Sequence, residues 1–248
     1  MHHQYTPLSN EIKEIILGSI LGDGSLKVHP RYKNARFSFR HSKNQKEYFD
    51  WKVEKLKEIA GPKNNWLQDT KKSNGWGGAK WRFQSQALPS LSELHYLTHV
   101  GNEKKIKRKW LNQLTPLSLM IWWCDDGSLV NNTKHGVFCT DGFKLEEVKL
   151  LKQYLKRVWQ INTSIHQVTN RNHYRLWIRS RDELKKFLRI IMPHLQVESM
   201  LYKVLLLYKD SQLQQRWISE VVKLTNWPEV IVKDHIRKRK SQLKAFRE

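Results

Sequence analysis

Two stretches of the chain end in the same four residues. Residues 16–26 read ILGSILGDGSL and residues 119–129 read LMIWWCDDGSL. Asp23 and Asp126 therefore stand 103 residues apart, each closing an apolar run and each followed by Gly-Ser-Leu. A lone Asp-Gly is an ordinary turn or helix stop; the repetition makes the pair informative. Two carboxylates brought close repel each other unless they share a divalent cation, and oxygen ligands with retained water are what Mg²⁺ prefers. A cation shared with a phosphate activates water and stabilises the leaving oxygen. Gly24 and Gly127 let the backbone approach such a phosphate closely and turn away.

That chemistry needs elements that hold the two acids. Both apolar runs have the length of helices. Asn10 is the expected N-cap of the first, and Thr115 with Pro116 at N1 starts the second. Gly18 and Gly22 are four apart and share a helical face, where small residues let another backbone come near. Each interior glycine costs about 1 kcal/mol of helix propensity, so a packing reason is expected. Packing against residues 119–125 would bring Asp23 and Asp126 side by side. Asp125 points about 100° away from Asp126, so only one of them faces the seam.

The segments after each motif also repeat. Arg36 to Arg40 alternates polar and apolar as a half-buried strand does, and residues 45–59 have helical spacing. After the Gly61-Pro62 break, a strand pair flanks the turn at 74–78, and residues 87–99 are helical. The second half gives a strand pair at 128–140, a helix at 144–158, a hairpin turning at 170–172 and a helix at 181–191. Each half thus reads α-β-β-α-β-β-α, an α+β chain of two pseudo-symmetric halves. The expected division is 1–100 for the first half, 101–114 for a linker, 115–195 for the second half and 196–248 for a basic helical extension.

Composition bounds the partner. Lys and Arg total 45 against 23 Asp and Glu, a formal charge of +22, while 39% hydrophobic residues and eleven Trp supply a core. That excludes a disordered polycation. No stretch of 18 apolar residues or secretory leader is evident, and two cysteines suit a reducing compartment, so an intracellular protein is expected. The charge favours nucleic acid over an acidic membrane, because the basic residues alternate along strands rather than along one amphipathic helix. The polar faces present Arg36, Ser38, Arg40, Lys80, Arg82 and Gln84, with Gln68, Thr70 and Lys72, in the first half. In the second they present Gln167, Thr169, His173, Arg175, Trp177 and Arg179. None of these is acidic, and such ribbons fit the DNA major groove. The basic residues at 104–109 and at the C-terminus suit phosphates, or in the latter case form a nonspecific tail. His95 and His99 read as a helix-surface pair rather than a zinc site, and Cys124 as packing. No Walker loop or dinucleotide fingerprint is present.

Ile16 to Gly24 (ILGSILGDG) and Leu119 to Gly127 (LMIWWCDDG) resemble the nine-residue motif of the LAGLIDADG homing endonucleases, with the key acid in eighth place. The stretch Leu114 to Gly127 is similar to the second motif of the single-chain, two-motif, intron-encoded subclass. Ser19 and Ile121 depart from the pattern. The resemblance covers about residues 10–210. It implies motif helices at a central interface and two four-stranded antiparallel sheets forming a saddle over double-stranded DNA. It implies a monomer that cleaves both strands at a long site with Mg²⁺ and leaves four-base 3′ overhangs. By the same resemblance Asp23 and Asp126 are the catalytic metal ligands, with Gly22 and Asp125 beside them. Met200-Leu201-Tyr202-Lys203 is similar to the family's closing motif and nominates Lys203 as a basic residue near a scissile phosphate. Its counterpart is Lys104 or Lys105, with Lys105 favoured. Two other readings share the scaffold: a maturase that binds intron RNA, and a DNA-binding regulator that does not cleave. The start at Met1 and the basic helical end make a nuclease embedded in an intein the poorer expectation. Cytoplasm or an organelle are the expected locations.

Overall fold

The first motif run is a helix, α1 (Asn10–Leu21), and its cap is Ser9 rather than Asn10. Ser9 is extended and its hydroxyl accepts from the Ile12 amide, while Asn10 is already helical. This is a computed structural model that describes residues 7–69, 78–169 and 171–246. After α1 come β1 (Ser25–Lys27), β2 (Arg36–Ser42), α2 (Lys46–Lys55), β3 (Ala60–Gln68), β4 (Lys80–Ser85) and α3 (Pro89–Thr98). Residues 101–114 are not bare linker. They contribute to a ribbon of β5 (His99–Val100) and β6 (Glu103–Lys104), and to the short α4 (Arg108–Leu111).

The second motif run is α5 (Pro116–Asp126), capped by the Thr115 hydroxyl, which accepts from the Ser118 amide at 3.3 Å. It is followed by β7 (Gly127–Val130), β8 (His135–Phe138), α6 (Leu145–Val158), β9 (Ser164–Gln167), β10 (Tyr174–Ile178) and α7 (Arg181–Ile191). Two further helices, α8 (Ser211–Thr225) and α9 (Glu229–Gln242), complete the chain. The sheets have strand orders β1-β2-β4-β3 and β7-β8-β10-β9, antiparallel throughout, so the expected α-β-β-α-β-β-α order is present twice. The chain divides into two compact units, and the division falls inside α5, after Trp122.

In the first unit the buried sheet face carries Leu26, Phe37, Phe39 and Phe83, and α2 and α3 add Tyr48, Phe49, Leu91 and Leu94. Each such side chain contributes roughly 1.5–3 kcal/mol when fully buried. Phe39 is central, with ring centroids 5.2 Å from Phe83 and 5.3 Å from Phe49. In the second unit Trp123, Phe138 and Phe187 meet edge to face with centroids 5.0 to 5.4 Å apart, the arrangement that ring quadrupoles prefer. Gly127 makes room for that indole: a Cβ there would lie 2.1 Å from a Trp123 ring carbon.

The C-terminal residues are not a loose tail. Arg189 of α7 makes two hydrogen bonds to Glu220 of α8, at 2.8 and 2.9 Å. Trp217 of α8 donates to the Val204 carbonyl, and His235 of α9 stands 3.1 Å from Glu198 in a 3-10 turn, Glu198–Lys203.

Gly22 caps α1 instead of lying inside it, and the reason for Gly18 lies within the first unit. A Cβ on Gly18 would sit 2.3 Å from the Ser118 carbonyl oxygen, so α1 and the first turns of α5 run in backbone contact. Ser118 donates to the Glu14 carbonyl and the Thr115 hydroxyl to the Glu14 carboxylate, both at 2.9 Å. Gly18→Ala must push the helices apart. It is expected to cost about 1–3 kcal/mol and to lower the melting temperature by roughly 3–10 °C. Gly142→Ala, where a Cβ meets nothing within 4 Å, should leave it nearly unchanged. Equal melting temperatures for the two variants would contradict the close approach.

Candidate functional site

Leu21 ends α1, and the chain reverses through Gly22, Asp23 and Gly24. The Gly24 amide donates back to the Ser19 carbonyl at 2.6 Å, and a Cβ on Gly24 would meet that carbonyl group at 2.7 Å. The tight turn leaves the Asp23 side chain at the tip, 41% exposed. Strand β2 then brings His41 beneath it, with Nδ1 of His41 3.4 Å from Oδ2 of Asp23. His41 is only 2% exposed and packs against the rings of Phe39 and Tyr48. It shares the inward parity of Phe37 and Phe39. A histidine closing an apolar alternation was its one signal in the sequence.

Lys104 also reaches this turn. Its ammonium donates to the Ile20 carbonyl in the last turn of α1, at 3.0 Å. Lys105 is held through its backbone, its amide donating to the Thr98 carbonyl. Lys104 ends β6, and Lys105 lies just past it.

In the second unit Asp126 ends α5, and its carbonyl accepts from the Cys139 amide. Asp125 and Asp126 are both half-buried. Lys203 is buried, not solvated. Its ammonium donates to the Gly127 carbonyl at 2.6 Å, and its own carbonyl accepts from the Trp123 indole at 2.8 Å. Burial pushes the Cys139 thiol up; Arg175 opposes this and Asp126 adds to it. Each unit thus offers a carboxylate at or just past a helix end. Carboxylate oxygens of this kind suit a hard divalent cation, and an imidazole stands beside Asp23.

A groove of about 610 Å³ runs over the outer face of the first sheet, starting at Asp23. Lys27, Arg36, Arg40, Lys80 and Arg82 line it with Ser38 and Gln84, and Asp23 is its single carboxylate among the described residues. Strand pairing sets these residues in rows: Ser25, Ser38 and Gln84; then Arg40, Arg82 and Trp66; then Ser42, Lys80 and Gln68. Ser25, Lys27, Tyr32 and Trp66 were not expected. Thr70 and Lys72 lie outside the described residues.

The second sheet differs more from expectation. Arg175 is engaged by a carboxylate: Asp141 binds it through two hydrogen bonds, at 2.8 and 2.6 Å, which raises the guanidinium and lowers the carboxyl. Trp177 and Arg175 pair with Ser164 and His166, so those two share their face, whereas Gln167 pairs with Tyr174 on the other parity. Register in this hairpin follows its turn, and a shift by one residue exchanges faces. Gln167 instead donates to the Arg171 carbonyl. Arg179, Thr169 and His173 stand at the strand ends, Arg179 near His166.

His95 and His99 are buried rather than on a helix surface. Their rings stack at 4.3 Å and 8°. Lys107 donates to the His99 and Tyr96 carbonyls, and His99 pairs with Lys104 across the ribbon. Burial first, then His95 and Lys104, hold His99 down at about 4. Burial and Lys107 also lower His95.

A model of the LAGLIDADG DNA endonuclease family matches residues 13–187. The chain is 38% identical over 130 residues to the RecA protein of Mycobacterium gastri, covering 51% of this chain and 29% of that one. It spans 29 to 56% of the lengths of three RecA relatives. It is 27% identical over 200 residues to the cytochrome b mRNA maturase bI2 of Debaryomyces hansenii, covering 80% of this chain and 75% of the maturase. Among solved structures, the homing endonuclease I-WcaI bound to its DNA recognition sequence is similar with a TM-score of 0.72 and 29% identity. That match covers 83% of this chain and 90% of I-WcaI.

The histidine stack makes stability depend on pH. His99 has a folded pKa of about 4 against an ordinary 6.5, so the unfolded chain takes up its proton first as pH falls. The stabilisation is complete above pH 6.5 and is lost on acidification towards 4, approaching about 3 kcal/mol. Urea unfolding at pH 7 and pH 4.5 should show this loss in the unmodified chain and a smaller one in His99→Leu. Equal losses would contradict a neutral buried stack.

Proposed function

We propose, for a chain that belongs to the LAGLIDADG DNA endonuclease family, that it makes a site-specific double-strand break in DNA by metal-dependent phosphodiester hydrolysis. The observation that carries the reading is the groove at Asp23, lined by five permanent cations and, among the described residues, no other carboxylate. A solvated sheet face ordinarily mixes both signs; one of single sign leading to an acid suits a polyanion brought to a metal ligand. The similarity to I-WcaI, itself bound to its DNA recognition sequence, supports the same partner.

Asp23 and Asp126 are the two acids of cleavage, one from each unit, with the backbone at Gly22 and Asp125 beside them. Bound Mg²⁺ would supply Lewis acidity and a lowered water pKa. The chain's own residues do the positioning. The Gly24 turn fixes the Asp23 carboxylate, and His41 stands against one of its oxygens. Lys104 and Lys203 place ammonium groups at the ends of the two motif helices, where a phosphate's developing charge needs them. Lys104, rather than Lys105, is the lysine we assign to this role in the first unit. The outer faces of the two sheets bind duplex DNA, leaving 3′ overhangs after cleavage.

A second reading has one observation behind it, the similarity to a maturase over 80% of this chain. It predicts faster splicing of the flanking intron RNA when protein is added.

The substrate for a direct test is a plasmid carrying the sequence formed by joining the DNA on either side of this reading frame. With Mg²⁺, the protein should linearise it. Asp23→Asn and Asp126→Asn should each slow cleavage by roughly 10³-fold or more while binding stays within a few-fold. Lys104→Met should cost about 10²–10³-fold, and Lys105→Met less than about tenfold. Undiminished cleavage by both aspartate variants would overturn the mechanism, and a reversed order of the lysines would overturn the assignment of Lys104.

A further inference from the structure

Several arginines among the described residues are used by the fold itself. Arg175 forks onto Asp141, Arg189 onto Glu220, and Arg181 donates to the carbonyls of Thr133 and Leu207. Arg36 and Arg82 are treated differently. Neither makes an ion pair among the described residues, and the Nε of each is buried without a hydrogen-bond partner. Each lies against an aromatic ring instead. The Arg36 guanidinium carbon is 3.8 Å from the Tyr32 ring centre, and that of Arg82 is 5.3 Å from the Trp66 ring centre. Those rings are themselves left 41% and 37% exposed, a poor use of apolar area if packing were their purpose. Arg82 also sits directly across from Arg40, a like-charge pairing that costs stability. Burial and Arg40 together lower Arg82.

A guanidinium held against a ring face is already oriented and loses little entropy on binding through its terminal nitrogens. Its fork matches the O6 and N7 acceptors of guanine in the major groove. Phosphate contacts need no such platform and are served by exposed side chains such as Lys27 and Arg40. Arg82 pairs with Arg40, four residues along β2 from Arg36, which is about 13 Å of strand. Base pairs rise about 3.4 Å, so the span is about four base steps.

We propose that Arg36 and Arg82 read two guanines of the half-site under the first sheet, no more than about four base steps apart. Tyr32 and Trp66 are the positioning residues that set this specificity. The inference rests on the DNA-binding reading above.

The test uses the full chain and a pool of random-sequence duplex DNA, selected for binding in the presence of a chelator and sequenced. The unmodified protein should enrich a consensus containing two fixed G·C pairs within about four steps. Arg82→Ala should erase one and Arg36→Ala the other, each by about 5- to 100-fold in base preference. Trp66→Ala should weaken the preference that Arg82→Ala erases, with recovery in Trp66→Phe. Tyr32→Ala and Tyr32→Phe should do the same for Arg36. A consensus whose guanines are indifferent to these substitutions overturns the inference alone, as does a uniform loss of affinity without a change of preference, the mark of phosphate contacts. No enrichment by the unmodified protein overturns the DNA-binding reading with it.

Discussion

The close approach of two helix backbones at Gly18 and Ser118 is the constraint on which the rest of the site depends. A missing Cβ lets α1 lie against the first turns of α5, and hydrogen bonds from Ser118 and Thr115 to Glu14 fix their register. The position of the α1 terminus then sets the Gly22-Asp23-Gly24 turn. The same α5 carries Asp126 at its far end. Gly18 in the interior of α1 lowers that helix's intrinsic propensity; the apolar faces and the backbone contact offset that. The consequence in the first unit is that Asp23 follows directly on a helix end whose position is fixed by backbone contact, and a group carried on a rigid element is held more precisely than one on a free loop.

Around this frame each unit solves the same problem with different residues. In the first, Lys104 reaches the end of α1 from a two-strand ribbon stiffened by a buried histidine stack. In the second, Lys203 reaches the Gly127 carbonyl from a 3-10 turn that α8 and α9 buttress through Trp217 and His235. The C-terminal extension therefore has a structural task. The sheets diverge too. The first keeps its arginines free of carboxylates, whereas the second commits Arg175 to Asp141.

Much of this was legible in the sequence because it repeats and alternates. The doubled Asp-Gly-Ser-Leu, the order of elements and the outward parity of Arg36, Ser38, Arg40, Lys80, Arg82 and Gln84 follow from periods of 3.6 and 2. The features that were not legible depend on pairing between distant segments. His41 looks like any inward strand residue until β1 and β2 bring it under Asp23. Lys104 and Lys105 are equivalent in sequence and separate only through the ribbon. The faces of Gln167 and His166 exchange with one step of register. Tyr32 and Trp66 gain meaning only from the arginines laid on them. Asp141 lies 34 residues from Arg175, too far for any local pattern to pair them.

The central claim is that the two acids, one per unit, serve hydrolysis of both strands of a bound duplex. Mapping the 5′ and 3′ ends on each strand of the joined-flank substrate, with and without Mg²⁺, tests it most directly. The account predicts one cut per strand, only with the metal, staggered to leave four-base 3′ overhangs. Tight, specific binding of that duplex with both strands intact at every concentration of Mg²⁺ would contradict it.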